Sequence, residues 1–195
     1  MKKITTNTPR LKQLFDTKLK ADLQKKLQLD NIMEVPSLQK IVVSSGVGKK
    51  KDDKKYLETV KNTLEKITGQ ATTERLAKKS IATFKIRKGQ GGAIGYMATL
   101  RNDKMYEFLD RLVNIALPHT RDFHGVPLKA FDKQGNYNLG IKEQTIFQEI
   151  SFEDAQVLHG LEVALVIKNG SPEKSKALLE AFGVPFEKAL KGEGE

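Results

Sequence analysis

The residues best suited to phosphate chemistry are Gly46, Val47, Gly48 and Lys49, which follow an apolar, strand-like run and precede a helical pattern. A nucleotide-hydrolysing phosphate loop needs a Gly five residues before its second Gly, and a Ser or Thr directly after its Lys to bind magnesium. This chain has Val43 and Lys50 at those positions. The segment is therefore interpreted as a strand-ending turn whose amides can meet a phosphate of RNA, with a nucleotide-dependent enzyme as the alternative.

Other patterns typical of enzymes also fail. Gly89, Gly91 and Gly95 miss the dinucleotide-binding spacing by one residue, and they precede a strand where that motif requires a helix. The chain has no cysteine, and its three histidines lack a helical i, i+4 arrangement, so they are interpreted as turn or core residues and not as zinc ligands. The sequence predicts no catalytic residue, no metal and no cofactor.

Charge points to a polyanionic partner. Lys and Arg number 34 against 24 Asp and Glu, which gives a formal net charge of +10 and a pI near 9.6. Residues 71–90 hold six basic side chains against the single acid Glu74. A solvated lysine-rich surface is the alternative, but nucleic-acid contact is favoured because this excess coincides with strands and a glycine-rich loop. RNA is favoured over duplex DNA because no helix-turn-helix, zinc finger or basic zipper is visible.

The cellular location follows from what the sequence lacks. The absence of cysteine fits a reducing compartment, and the N-terminal residues are charged without the apolar run of a secretory signal. No stretch approaches the roughly 20 apolar residues of a membrane helix. A membrane surface is the weaker alternative, because the basic amphipathic N-terminal segment lacks Trp. We therefore expect a cytoplasmic protein.

The order of expected helices and strands along the chain, with neighbouring strands joined by short turns, predicts an α+β fold in two layers. Its sheet is antiparallel, and helices pack on one of its faces. An amphipathic helix is expected to begin at Thr8 and Pro9, and its lysine face is either solvated or faces phosphate. Gly69 is expected to end a second helix in a left-handed cap, and Ser171 with Pro172 to begin the last helix. Residues 161–168 alternate as a strand with an apolar inner face. One domain spanning 1–195 is predicted, with a frayed tail from Lys188 to Glu195.

Several longer motifs carry a resemblance. They include Ile67-Thr68-Gly69-Gln70, Ala77-Lys78-Lys79-Ser80-Ile81-Ala82, Phe84-Lys85-Ile86-Arg87-Lys88-Gly89, Thr99-Leu100-Arg101, Arg121-Asp122-Phe123 and Gly135-Asn136-Tyr137. Together with further short matches they cover roughly residues 9–188 in order. They closely resemble the bacterial large-subunit ribosomal protein five family, which binds 5S ribosomal RNA.

The resemblance implies a structural component of the large ribosomal subunit that binds 5S ribosomal RNA and anchors it there. It also implies contacts with large-subunit ribosomal RNA, peptidyl-site transfer RNA and other ribosomal proteins, including one of the small subunit. The protein would act as a monomer within the ribosome. Carried over by position, the ribosomal RNA site comprises Ser44, Gly46, Gly48, Gln70, Thr99 and Arg101.

Two further sites follow from the same resemblance. The transfer RNA site comprises Lys78, Lys79, Ser80, Lys85, Arg87 and Lys88, on a loop expected to protrude from the sheet. The subunit interface comprises Arg121, Asp122, Lys133 and Asn136. Gln70 and Thr99 also have a simpler interpretation, as an ordinary turn residue and an ordinary strand residue.

The chain departs from the family pattern in two places. Ser44 stands where the family usually has Asn, so this shorter side chain reaches RNA only through a water molecule. After Gly89 the chain carries two additional residues and lacks the usual proline, which makes the loop more flexible. The sequence thus predicts a ribosomal RNA-binding protein, with a nucleotide-dependent enzyme and a general RNA chaperone as the alternatives.

Overall fold

The computed structural model describes residues 8–48, 53–84, 86–89, 93–121 and 123–187. Its sheet consists of β1 (Ser37–Gly46), β2 (Thr73–Arg75), β3 (Gly95–Leu100), β4 (Tyr137–Ile141) and β5 (Leu161–Lys168). The strands lie in the order β2-β3-β1-β5-β4, and each neighbouring pair is antiparallel. The antiparallel sheet predicted from the sequence is confirmed.

Within these ranges, six α-helical segments accompany the sheet. They are α1 (Arg10–Leu14), α2 (Lys20–Lys26), α3 (Lys54–Thr68), α4 (Asn102–Arg111), α5 (Phe152–Ala155) and α6 (Pro172–Ala181). A π-helical turn, Phe15–Leu19, joins α1 to α2, and a second one, Leu112–Ala116, continues α4. Helices α3 and α4 contact the central strands β1 and β3. This arrangement confirms the two-layer α+β fold.

Buried and more exposed side chains alternate along the strands, so the two faces of the sheet differ. In β5 the side chains of Leu161, Val163, Leu165 and Ile167 are buried, whereas the intervening ones are half-buried or exposed. Because side chains in a strand point to opposite faces in turn, one face packs into the core beneath the helices. The other face, which we call the open face, is left for contacts outside the protein.

The N-terminal helix uses much of its charge within the protein. It begins at Arg10, one residue later than predicted, because Pro9 has an extended ψ of 140°. Arg10 pairs with Asp110 at 2.6 Å and Lys12 with Asp103 at 2.8 Å, which ties α1 to α4. Lys26 reaches Glu180 of α6 at 3.3 Å. These pairs support a structural role for this side of the helix.

Two predicted helix ends are confirmed. Gly69 follows α3 with φ 61°, in the left-handed region where a side chain is strained. Ser171 caps α6, its hydroxyl accepting a hydrogen bond from the Lys174 amide at 3.3 Å, and Pro172 occupies the first turn. In the described part of the chain no helix is long and apolar enough to cross a membrane.

Candidate nucleic-acid interface

The open face carries mostly small side chains. Strand pairing aligns one row across the sheet, in which Thr73, Met97, Ser44, Glu162 and Gly140 are neighbours in turn. A second row joins Thr99, Val42, Ala164 and Asn138. All of these residues are half-buried or exposed. Because few long side chains stand on this face, another molecule can approach the strands closely.

Charge divides the open face into two parts. Arg75 of β2 is exposed and pairs with Gly95, and Lys40 of β1 is half-buried on the same side of the sheet. Glu162 of β5 is exposed and lies opposite Ser44. β5 also carries the exposed Lys168 at its other end, opposite Ser37, so repulsion of phosphate is confined to the end of β5 around Glu162. A phosphate backbone is attracted to the side with Arg75 and Lys40. The half formed by β2, β3 and β1 is therefore the better RNA surface.

Gln70 and Thr99 are brought together by the turn that follows α3. The Gln70 side-chain amide donates a hydrogen bond to the Thr99 carbonyl oxygen at 3.0 Å. The Thr68 hydroxyl lies 3.2 Å from the Gln70 carbonyl oxygen and 2.7 Å from that of Leu64. Two residues predicted from distant parts of the chain thus form one polar site at the rim of the open face.

Long side chains hold this turn in place. The Lys104 ammonium donates to the Gly69 carbonyl oxygen at 3.0 Å. The Glu65 carboxylate accepts hydrogen bonds from the Thr72 amide at 3.1 Å and from its hydroxyl at 3.2 Å. Sequence reasoning missed these residues, because neither their spacing nor their type distinguishes them from ordinary helix-surface charges. They fix the turn that places Gln70 against β3.

The other predicted ribosomal RNA residues lie nearby. Gly46 and Gly48 are exposed at the end of β1, and Ser44 is half-buried on the open face. Arg101 is exposed and directly follows β3, with an extended backbone at φ −139° and ψ 165°. Lys49 of the candidate phosphate loop and Lys50, which stands where that loop needs Ser or Thr, lie outside the described residues.

One glycine of the open face has a packing reason to be glycine. A Cβ on Gly95 would lie 2.9 Å from the Ser45 carbonyl oxygen, closer than real contacts allow. Gly95 is paired with Gly46 at this point. The close approach of β1 and β3 therefore depends on the missing side chain.

The basic loop, residues 76–94, connects β2 to β3. Its described part is held by paired backbone hydrogen bonds between Ile81 and Ile86, at 2.9 and 3.1 Å, and by one from the Gly89 amide to the Ala77 carbonyl at 3.2 Å. At its base the Ile94 amide donates to the Arg75 carbonyl at 2.7 Å. Since this ladder continues beyond the paired strands, the loop extends past the end of the sheet.

Exposed cations line the basic loop. Lys78, Lys79, Arg87 and Lys88 are all exposed, and none forms an ion pair within the ranges that the structure describes. The hydroxyl of Ser80, which was predicted to meet transfer RNA, accepts a hydrogen bond from the Lys88 amide at 2.9 Å and so helps shape the loop. The predicted Lys85 and the residues Gln90 to Gly92 lie outside the described residues.

The predicted subunit-interface residues behave differently from one another. Arg121 and Lys133 are exposed, whereas Asp122 lies outside the described residues. The Asn136 side chain is engaged within the protein, since it donates to Asp132 at 2.8 Å and accepts from the Ile167 amide at 3.1 Å. The hydrogen bond from Asn136 lowers the pKa of Asp132. Asn136 therefore shapes the turn before β4, and its assignment to the interface stays a prediction.

The three histidines lie in different settings. His119 and His124 lie in the segment between α4 and β4, and His159 is buried at 5% exposure just before β5. Burial lowers the pKa of His159, whose Nε2 has no hydrogen-bond partner within the described chain. Among the described residues, no group of three or more His, Asp or Glu side chains is arranged to hold a metal ion.

Comparison with known proteins gives consistent matches over nearly the whole chain. Residues 31–87 match the family described as "Ribosomal protein L5", and residues 93–186 match the C-terminus of the same ribosomal protein family. The chain is 49% identical to "Large ribosomal subunit protein uL5" of Syntrophotalea carbinolica, over 92% of this chain and 96% of that protein. The protein of the same name from Synechococcus sp. is 48% identical over 91% of this chain and 97% of that protein. The one from Ureaplasma parvum serovar 3 is 46% identical over 91% and 96% respectively.

Proposed function

The chain belongs to the uL5 family of large ribosomal subunit proteins, and from this membership we propose that it binds 5S ribosomal RNA through the open face of its sheet. Membership makes it a ribosomal protein of the large subunit, active in translation and not an enzyme. Its location on the ribosome, in the cytoplasm, agrees with the prediction from the sequence. We also propose that it anchors this RNA in the large subunit.

The observation that carries this proposal is the contact between Gln70 and Thr99 at the rim of the open face. Side chains and strands there offer hydrogen-bond donors and acceptors, while the small residues beside them let an RNA backbone approach. Arg101 and Arg75 add positive charge on the same half of the sheet. RNA recognition through shape, phosphate and 2′-hydroxyl contacts needs this combination of donors, acceptors and cations.

The basic loop supports a second contact, with peptidyl-site transfer RNA. Its four exposed cations, Lys78, Lys79, Arg87 and Lys88, are available to phosphates. Its position beyond the end of the sheet separates these cations from the Gln70 site. The two RNA contacts are therefore proposed to be independent surfaces of one protein.

Contact with a small-subunit protein is the third element of the proposal. Arg121 and Lys133 are exposed and can take part directly. Asn136 contributes through the turn that it holds with Asp132. Large-subunit ribosomal RNA and neighbouring ribosomal proteins complete the proposed partners, with this chain present as a monomer.

A salt titration tests the central step. The affinity for 5S ribosomal RNA should fall steeply with salt, because each phosphate neutralised by Lys or Arg contributes a slope of roughly −0.7 to −0.9 in log K against log salt concentration. An unrelated structured RNA of equal length, measured in parallel, serves as the control. A flat response would contradict binding through phosphates, and equal affinity for both RNAs would favour a general RNA chaperone.

A further inference from the structure

A carboxylate lies at the rim of the surface proposed for RNA. Glu65 belongs to the last turn of α3 and is half-buried, and its side chain reaches Thr72, the residue directly before β2. β2 lies in the half of the open face that carries Arg75 and Lys40. A negative charge beside such a surface repels the phosphates of RNA. Contact with phosphate therefore does not explain a carboxylate at this place.

Glu65 binds the chain on both sides of Gln70. Its main-chain carbonyl oxygen accepts a hydrogen bond from the Gly69 amide at 2.8 Å. Its carboxylate accepts two more, from the Thr72 amide at 3.1 Å and from the Thr72 hydroxyl at 3.2 Å. Gln70 thus lies between two points that the same residue holds, one just before it and one shortly after it.

The turn around Gln70 depends on side-chain contacts for its position. α3 ends at Thr68 and β2 begins at Thr73, so the residues from Gln70 to Thr72 belong to neither the helix nor the sheet. Their place is set by the Glu65 carboxylate and by the hydrogen bond from the Gln70 amide to the Thr99 carbonyl oxygen at 3.0 Å. The second bond forms only when the turn presents Gln70 to β3.

We propose that Glu65 is a positioning residue for RNA recognition: its carboxylate fixes Thr72 and thereby the direction in which Gln70 faces the RNA. This inference rests on the proposed binding of 5S ribosomal RNA. One amide hydrogen of Gln70 is used by Thr99, so the side-chain oxygen and the other hydrogen are left for RNA. Hydrogen bonds weaken steeply as their angle departs from linear, so a small rotation of the turn is enough to weaken this contact.

Charge and position predict opposite effects of removing this carboxylate. If Glu65 acted on RNA through its charge, Glu65→Ala would tighten binding, because it removes a repulsion. If Glu65 acts through Gln70, the same substitution weakens binding. We expect a loss of about fivefold in 5S affinity, less than for Gln70→Ala, since the contact is loosened and not deleted. Glu65→Gln should stay within about twofold of the unmodified protein, because its amide oxygen can still accept from Thr72.

A double-mutant cycle separates positioning from general destabilisation. The affinity for 5S ribosomal RNA is measured by filter binding at one salt concentration for the unmodified protein, Glu65→Ala, Gln70→Ala and the double variant, and each Tm is recorded. If Glu65 acts through Gln70, Glu65→Ala should change affinity by less than about twofold in the Gln70→Ala background, whereas independent effects would multiply. A merely structural role would lower affinity equally in both backgrounds.

Glu58 provides the matched control on the same helix. It precedes Glu65 by about two helical turns, so both side chains project from the same side of α3. Glu58 is exposed and forms no ion pair with the residues that the structure describes. Glu58→Ala removes the same charge and should leave 5S affinity unchanged. If Glu65→Ala lowers the Tm below the assay temperature, Thr72→Val, which removes only the hydroxyl contact, replaces it in the cycle.

Weaker binding by Glu65→Ala, near-normal binding by Glu65→Gln and no further loss in the double variant support the proposal. It is overturned if Glu65→Ala binds 5S ribosomal RNA as tightly as the unmodified protein or more tightly, or if Glu58→Ala or Glu65→Gln weakens binding as much. A loss that is equal in both backgrounds also overturns it. These failures leave the 5S proposal intact, since that is judged by the preference of the unmodified protein for 5S over an unrelated structured RNA. Without that preference, both proposals fall.

Discussion

The basic loop and an acidic segment are two exposed parts of one small protein that carry opposite charge. The basic loop, residues 76–94, holds five cations and no carboxylate, whereas the acidic segment, residues 143–162, holds five carboxylates and no cation. Both expose apolar side chains, Leu76 at 50% and Ile81 at 44% in the first, Phe152 and Leu158 in the second. The two regions are therefore similar in length and in their exposed apolar side chains, and they differ in charge.

The two parts are also held in different ways. Backbone hydrogen bonds within the basic loop give it a hairpin form that projects from the sheet. The acidic segment is instead fixed to the core by the buried side chain of Gln144. A net charge of +10 is therefore the sum of local surfaces of opposite charge.

The largest effect is expected when the basic loop is given the charge of the acidic segment. Replacing Lys78, Lys79, Arg87 and Lys88 with Glu should speed dissociation of peptidyl-site transfer RNA from reconstituted ribosomes by about a hundredfold. Each exposed contact between a cation and a phosphate is worth about 0.7 kcal/mol after screening, so losing four of them costs roughly 2.8 kcal/mol, close to a hundredfold in rate. Affinity for isolated 5S ribosomal RNA should change little. Thr99, which Gln70 contacts, lies four residues along β3 from Gly95, where the loop ends, and four strand residues span about 13 Å, farther than the screening length of roughly 8 Å.

The matched control reverses charge in the other region. Glu143→Lys with Glu153→Lys should leave transfer RNA dissociation unchanged in the same assay. If the loop variant loses 5S affinity as severely as transfer RNA retention, the two RNA surfaces are one. If the control variant changes transfer RNA dissociation to a similar extent, the contrast between the two regions does not govern RNA binding.

A smaller effect is expected within the open face itself. Gln70→Ala should weaken 5S binding about tenfold, since it removes a hydrogen-bonding group at the centre of the proposed site. The substitution also removes the hydrogen bond from the Gln70 side chain to the Thr99 carbonyl oxygen, so the Tm should fall by about 2–4 °C. Asn138→Ala, on the half of the face beyond Glu162, is the control and should leave affinity unchanged. Equal losses in both variants would mean that RNA covers the whole face.

The smallest effect concerns pH and the base of the acidic segment. Burial lowers the pKa of His159, so the folded protein favours the neutral ring more than the unfolded chain does. The contribution of the neutral His159 ring to the free energy of unfolding is fully present above about pH 6.5, the ordinary histidine pKa. It is lost as the pH falls toward the lower pKa of His159 in the folded protein. Urea unfolding between pH 7.5 and pH 5, conditions outside the acid range of Asp154, should show this decline. His159→Gln should lose less stability over this pH range than the unmodified protein. If both proteins lose stability equally, groups other than His159 cause the decline.

Sequence reasoning succeeded where the determining contacts are local. The left-handed Gly69, the Ser171 cap and the alternation of β5 each depend on residues close in the chain, and all three are confirmed. It failed to see the interaction of Asn136 with Ile167, because strand pairing brings those residues together across the sheet.

In the candidate site, too, local features could be predicted from the sequence, whereas contacts between residues distant in the chain could not. Exposure of Arg101 and of the loop cations agrees with the sequence pattern, but the supports of Gln70 come from Lys104 and Glu65. The Lys104 contact exists because α4 lies beside the turn after α3, and the Glu65 contact exists because that turn folds back against α3. The acidic count of residues 143–162 is visible in the sequence, yet an exposed Phe152 is not, since a phenylalanine near a short helix is more often a core residue.

The strands at the two edges of the sheet have a consequence for the newly made chain before it reaches a ribosome. β2 spans only Thr73–Arg75 and is exposed throughout, and β4 spans Tyr137–Ile141 with Phe131 bridging one of its ends. Long, flat edges invite pairing between copies, whereas short and charged ones do not. At the β2 edge, three exposed residues that include Glu74 and Arg75 thus disfavour pairing between free copies of the protein.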